Sequence, residues 1–214
     1  MFYFVKTPWW LRKIYSGLVW QIPVREKVLY LSFDDGPEPE VTPFVLDTLK
    51  QYDARATFFC IGKNVQEYPQ VYKRILMEGH RVGNHTQDHL NGWKAPGRTY
   101  LENVHEAARY IDSDLFRPPY GRIGLLEAAV LRREPLNYRI IMWEVLSADF
   151  DVRLRAEDCA RNVIRHAREG SIVVFHDSQK AFGRLRGALP AVLEHFSGLG
   201  YRFEGIEGKP LMGG

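Results

Sequence analysis

From about residue 27 onward, short apolar runs alternate with longer segments of helical period. Lys27–Phe33 (KVLYLSF), Ala56–Cys60 (ATFFC), Arg81–Asn84, Leu115–Arg117, Arg139–Glu144 (RIIMWE), Ser171–Phe175 (SIVVF) and Tyr201–Glu204 predict strands, because the runs are short and rich in β-branched and aromatic residues. Helices are predicted from Thr42, from Asn64 to Glu78, and over Thr99–Tyr110, Gly124–Arg133, Ala156–Glu169 and Ala181–Phe196. Thr42 before Pro43 reads as an N-cap followed by proline in the first turn. Asn64 and Glu67 have capping-box spacing. Gly79 and Gly170 read as stops.

About seven strand–helix alternations predict an α/β protein with a parallel sheet covered by helices. The best account is a distorted, trimmed (β/α)7-8 TIM-like barrel, because 214 residues fall short of the ~250 of a full eight-fold barrel. An open doubly wound sheet is the rival. No repeat or linker divides the chain, so residues 27–214 read as one catalytic domain behind an arm of residues 1–26.

Composition removes several classes. With 45% hydrophobic and 26% charged residues the chain is not of disordered type. A net charge of +3 is too small for a nucleic-acid footprint, so no nucleic-acid partner is expected. Cys60 and Cys159 cannot form a disulfide framework and read as buried thiols. No run approaches the length of a spanning helix. The arm carries Lys6, Arg12 and Lys13, no acid before Trp20, and three tryptophans. Those charges interrupt the apolar centre that a secretory signal needs. Cytoplasmic placement is therefore the default expectation, with membrane-associated or periplasmic placement open. The arm is expected to pack on the outside of the domain or to touch a membrane surface. Oligomeric state is not legible.

In parallel α/β folds chemistry gathers at the C-terminal ends of strands. Here those ends read Asp34-Asp35-Gly36-Pro37, then Asn84-His85-Thr86-Gln87-Asp88-His89, Arg117-Pro118-Pro119-Tyr120, a segment reaching Asp149, and His176-Asp177. On a helical turn, His85 and His89 would share a face and could hold one ion. With Asp35 they form a three-ligand set that leaves positions open for hydrolysis. Asp34, free of the ion, would be available as a base. Arg117 is expected to clamp a carboxylate with two parallel hydrogen bonds. His176 reads as a structural hydrogen-bonder or a proton donor, oriented by Asp149. His80, His105, His166 and His195 fall in helices or at their ends and read as packing or surface residues.

Taken in order, SFDDGP, HTQDH, RPPY, SADF and VFHD resemble the five motifs of the polysaccharide deacetylases, carbohydrate esterase family 4. The resemblance runs from about Lys27 to the end of the chain. It implies a distorted (β/α) barrel that removes N-acetyl or O-acetyl groups from sugars, using one divalent metal ion, usually zinc, with cobalt, nickel or manganese as possible alternatives. It implies Asp34 as base, Asp35, His85 and His89 as metal ligands, and His176 as acid. Arg117 would position Asp34, Asp149 would tune His176, and the Tyr120 N–H would serve the oxyanion. Pro119, Tyr120, Phe150 and Val174 would line the substrate pocket. The family commonly has Trp where this chain has Phe150, and Leu where it has Val174. The expected partner is an acetylated poly- or oligosaccharide: peptidoglycan, chitin-type oligomers, xylan or a surface-polysaccharide precursor. The competing readings are a non-catalytic metal or glycan-binding domain of the same fold, and a metal phosphoesterase, whose two-metal site needs more ligands.

Overall fold

The computed structural model describes residues 3–208; the arm's first two residues and the predicted domain's last six lie outside the described residues. The elements run α1 (Trp9–Ile14), β1 (Val28–Asp34), α2 (Val41–Lys50), β2 (Thr57–Cys60), α3 (Gly62–Glu67), α4 (Pro69–Met77), β3 (Arg81–Asn84), α5 (Gly97–Ala108), β4 (Leu115–Phe116), α6 (Leu125–Leu131), β5 (Arg139–Ile140), β6 (Val145–Leu146), α7 (Ala156–His166), β7 (Ile172–His176), α8 (Gln179–Gly198) and β8 (Arg202–Phe203). Every strand pair is parallel, in the order β5-β4-β3-β2-β1-β7-β6, with β8 against the start of β1. The result is a curled, distorted (β/α) barrel, as the alternation predicts.

β1 is central, and all its residues are buried. A parallel strand covered on both faces must be apolar throughout, which is why this segment shows no alternation in sequence. Phe33 stacks between Phe58 and Phe175, with ring centroids 5.1 and 6.0 Å away. Register then does the functional positioning. Asp34 pairs with His176 on one side and Phe59 on the other, and Asn84 pairs with Cys60 and Phe116. The polar last residues of several strands therefore stand at one rim.

The barrel does not close through its own strands. β5 and β6 form the two edges, and the arm covers both. Val19 pairs in parallel with Ile141, and Lys6 pairs antiparallel with Val145. The Met142 N–H donates to the Val19 carbonyl at 2.7 Å, and the Leu146 N–H to the Val5 carbonyl at 2.8 Å. Exposed edges are open templates for association, and here the same chain occupies them. Leu18 and Trp20 are buried in doing so, whereas Trp9 on α1 remains 71% exposed.

Several predicted boundaries are corrected. The run Arg139–Glu144 is not one strand but breaks after Ile140, and β6 starts at Val145. The carbonyls of Ile141 and Met142 accept from the Arg117 guanidinium instead of a ladder neighbour. Thr42 is not an N-cap: α2 begins at Val41, where Glu38 accepts the first N–H groups and the Thr42 hydroxyl donates to Asp177. The helix expected from Asn64 begins at Gly62 and is interrupted at Tyr68, because Pro69 starts a second helix. α7 ends at His166, short of Glu169. Gly170 adopts φ +76°, and a Cβ there would strike the Ile22 carbonyl.

Candidate active site

Asp35 follows β1 with φ +84°, a left-handed turn that swings its carboxylate over the rim. Its backbone carbonyl accepts from the Asn64 amide at 2.7 Å. His85 follows β3. Its Nδ1 lies 2.7 Å from the Arg117 carbonyl. A carbonyl only accepts, so Nδ1 carries the proton and Nε2 keeps its lone pair. Burial pushes the His85 imidazole down to about 4, against the opposing pull of Asp34, so it is neutral at neutral pH.

The expected helical turn between His85 and His89 is absent. Thr86 and His89 both have positive φ. The Asn103 side-chain oxygen accepts the N–H groups of Gln87 and Asp88 at 2.9 and 3.0 Å, holding the segment as a bend. The two imidazoles still meet, with ring centroids 5.1 Å apart. One ligand atom from each of Asp35, His85 and His89 lies within 4.8 Å of the others. The Asp35 Oδ1 is buried and has no hydrogen-bond partner, while the His89 and His85 Nε2 atoms stand 3.2 and 3.8 Å from it. An orphaned carboxylate oxygen between two imidazole nitrogens is a donor set that fits a divalent cation. Burial opposes ionisation of Asp35, but the surrounding imidazoles hold its carboxyl well below the usual range.

Asp34 is separate from this set. Arg117 is fully buried, and its Nη1 donates to the Asp34 Oδ1 at 2.6 Å. The predicted two-pronged clamp is not formed. The other donors reach the Ser32 hydroxyl at 2.8 Å and the Ile141 and Met142 carbonyls at 3.1 Å each. One guanidinium thus ties Asp34 to a neighbouring chain segment, and its Cζ sits 4.0 Å from the centre of the Phe59 ring.

Opposite, the His176 Nδ1–H donates to one oxygen of Asp149 at 2.7 Å, and the His176 backbone N–H donates to the other at 2.8 Å. Burial alone lowers the His176 imidazole, but Asp149, with Asp35 and Asp34 behind it, takes it up to about 9. Phe150 meets the His176 ring edge-on at 5.3 Å. Pro119 is buried, and Tyr120 next to it has φ +60° and ψ +8°. Asp34, Asp35, His85, His89, Tyr120, Phe150, Val174 and His176 all line one cleft of about 530 Å³, ordinary for a small-ligand site.

Sequence reasoning missed three participants. Tyr3, from the arm, lines this cleft, packs on Phe150 at 5.2 Å and donates to Asp151 at 2.7 Å. Ser32 is hidden within an apolar run. Asp177 is fully buried, accepts the Thr42 hydroxyl at 2.6 Å and the Gly36 N–H at 3.0 Å, and so braces the turn that carries Asp35. Burial raises its carboxyl well above the usual range. A Cβ at Gly36 would collide with Asp177, so glycine is required for this approach. Asp177→Ala is expected to cost about 1–3 kcal/mol by leaving those donors unsatisfied, whereas Asp177→Asn should keep the Gly36 bond and cost less. Equal urea midpoints for wild type and the alanine variant would count against the brace.

The fold and this rim together define a parallel-barrel site with one candidate cation group and two separate carboxylate pairs, Asp34 with Arg117 and Asp149 with His176. The polysaccharide deacetylase family model matches residues 21–138. A peptidoglycan-N-acetylglucosamine deacetylase of Bacillus cereus is 34% identical over 192 residues, covering 87% of this chain and 89% of the relative. A chitooligosaccharide deacetylase of Azorhizobium caulinodans is 32% identical over 75% of this chain and 79% of its own. A solved peptidoglycan N-acetylglucosamine deacetylase in complex with a naphthyl N-hydroxybenzamide superposes with a TM-score of 0.81 at 29% identity, over 94% of this chain and 95% of that one. The chain belongs to the polysaccharide deacetylase family, whose relatives here are sugar deacetylases.

Proposed function

We propose that the chain is a metal-dependent deacetylase that removes acetyl groups, chiefly N-acetyl, from sugars of a polysaccharide or oligosaccharide. The orphaned Asp35 oxygen facing two imidazoles carries this reading. One carboxylate and two imidazoles suit zinc best, with cobalt, nickel or manganese as substitutes, and Asp35, His85 and His89 would hold the ion. Such an ion, when bound, polarises an acyl carbonyl and makes water acidic near neutral pH.

Asp34, anchored by Arg117, takes the proton of the attacking water. The Tyr120 N–H, presented by its left-handed turn, donates to the oxyanion as it develops. His176 has its Nδ1–H committed to Asp149 and so offers the Nε2 proton to the leaving nitrogen. The C–N bond breaks, and acetate and a free amine leave. Phe150 and Val174 wall the space around the acetyl methyl, whereas Pro119, expected from the sequence to line the pocket, is buried and is not in the cleft lining.

The first test is acetate release from N-acetylated chito-oligosaccharides and peptidoglycan fragments. Chelated protein is expected to lose turnover and to regain it with zinc. Glycan binding with no acetate released under any added ion would sink the reading in favour of a non-catalytic domain.

The acid role has a pH signature. Protonated His176 is required, so turnover should fall as pH rises through about 9. The same sign governs stability: the His176–Asp149 interaction contributes fully below the unfolded imidazole value and is lost as pH rises through the folded one. Asp149→Asn removes the opposing charge, so the alkaline limb should move to lower pH and kcat should drop about 10²-fold. A limb that stays in place in this variant would assign it to another group.

A further inference from the structure

A second cavity, of about 320 Å³, lies where the arm crosses the barrel. Its walls include Leu11, Tyr15, Leu18 and Trp20 from the arm and Met142 and Trp143 from the broken edge segment. It adjoins the catalytic cleft: Tyr3, Tyr120, Arg122, Trp143 and Leu146 line both. The volume is that of a small-ligand pocket, too small for a folded partner.

The chemistry of the walls selects what enters. The Thr7 hydroxyl donates to the Trp143 carbonyl at 2.8 Å. The Trp20 indole N–H donates to the Tyr15 carbonyl, and the Trp93 indole N–H to the Ile123 carbonyl, each at 3.1 Å. These three donors are already committed to protein carbonyls. A sugar ring placed there would give up its hydrogen bonds to water without recovering them from these groups, at a cost a hydrocarbon does not incur. Arg122 is the one charged residue in this lining among the described residues, and its guanidinium lies over Trp93, 5.3 Å from the ring centre.

We infer that the arm-lined cavity is an aglycone site, and that the acetylated sugar on which this chain acts carries a hydrocarbon-like tail that lies there. This rests on the deacetylase reading and narrows it to glycolipid-type substrates. The tail would run beneath the arm while the acetyl group sits between Asp34 and His176. The arm is thereby a substrate-binding element as well as a cover for two sheet edges.

The test compares β-N-acetylglucosaminides bearing methyl, octyl and dodecyl aglycones, below their micellar concentrations, with the full chain and added zinc. KM should fall with chain length, so that kcat/KM for the dodecyl compound exceeds that for the methyl compound by about tenfold or more. Equal kcat/KM across the series overturns the inference. A second measurement does not depend on turnover: dodecyl glucoside, which lacks the acetyl group, is titrated while tryptophan fluorescence is followed. Saturable binding that is weakened about tenfold in both Leu11→Asp and Tyr15→Ala is expected. Absent binding, or binding unchanged in both variants, overturns the site. Binding of this kind without acetate release from these glycosides, from chito-oligosaccharides or from peptidoglycan fragments would support the cavity's ligand class and overturn the deacetylase reading instead.

Discussion

On the proposed mechanism, Asp34→Asn should lower kcat by about 10³-fold without changing the zinc content of the reconstituted protein, because general-base catalysis contributes on the order of 10²–10⁴. The amide is nearly the size of the carboxylate, and its oxygen can still accept from Arg117, so the local geometry survives. What is lost is the capacity to take a proton. Asp34 supplies no atom to the group formed by Asp35, His85 and His89, so ion content measured by elemental analysis should match wild type. Full turnover in this variant, or loss of the ion along with activity, would contradict the division of labour between the adjacent aspartates. Solvent isotope effects on the residual rate would show whether water itself has taken over as the proton acceptor.

Arg117→Met is expected to have the largest effect on the fold, a loss of about 3–5 kcal/mol, the usual scale for removing one partner of a buried ion pair. The guanidinium is fully buried and donates to Asp34, Ser32, Ile141 and Met142. Its removal strands a carboxylate that is 4% exposed, together with two backbone carbonyls. Arg117→Lys restores charge but not the planar fork, so it should be intermediate in stability and still poor in turnover. Urea unfolding and kcat/KM, taken together, separate the two. A methionine variant with a wild-type midpoint would overturn the account of this residue as the tie between β1 and the segment after β5.

The main elements and the grouping of polar residues at one rim were legible because their signals are local. A buried parallel strand must be apolar along its length, so β1 and β7 stand out. Parallel strands also deliver their last residues to the same rim, so the polar endings Asp34-Asp35, His85 and His176 could be grouped before any contact was known. Where the reading slipped, a distant partner had outcompeted the local signal. Thr42 has the composition of a cap, but Asp177 takes its hydroxyl across 135 positions. The segment Ile141–Met142 has strand propensity, but Arg117 and Val19 take its backbone groups. His85 and His89 have helical spacing, but the Asn103 side chain holds the chain between them in a bend.

The alternation of strands and helices, the parallel class and the polar strand endings Asp34-Asp35, His85 and His176 were legible in the sequence alone, because side-chain period and backbone propensity act over a few neighbours. The tertiary structure alone decided that Arg117 spreads its donors over four acceptors, that Asp177 braces the Asp35 turn, and that the arm covers both sheet edges and places Tyr3 beside Phe150. The Tyr3–Asp151 contact spans 148 positions. No local pattern encodes such a meeting, which depends on the whole barrel having first brought the two surfaces together.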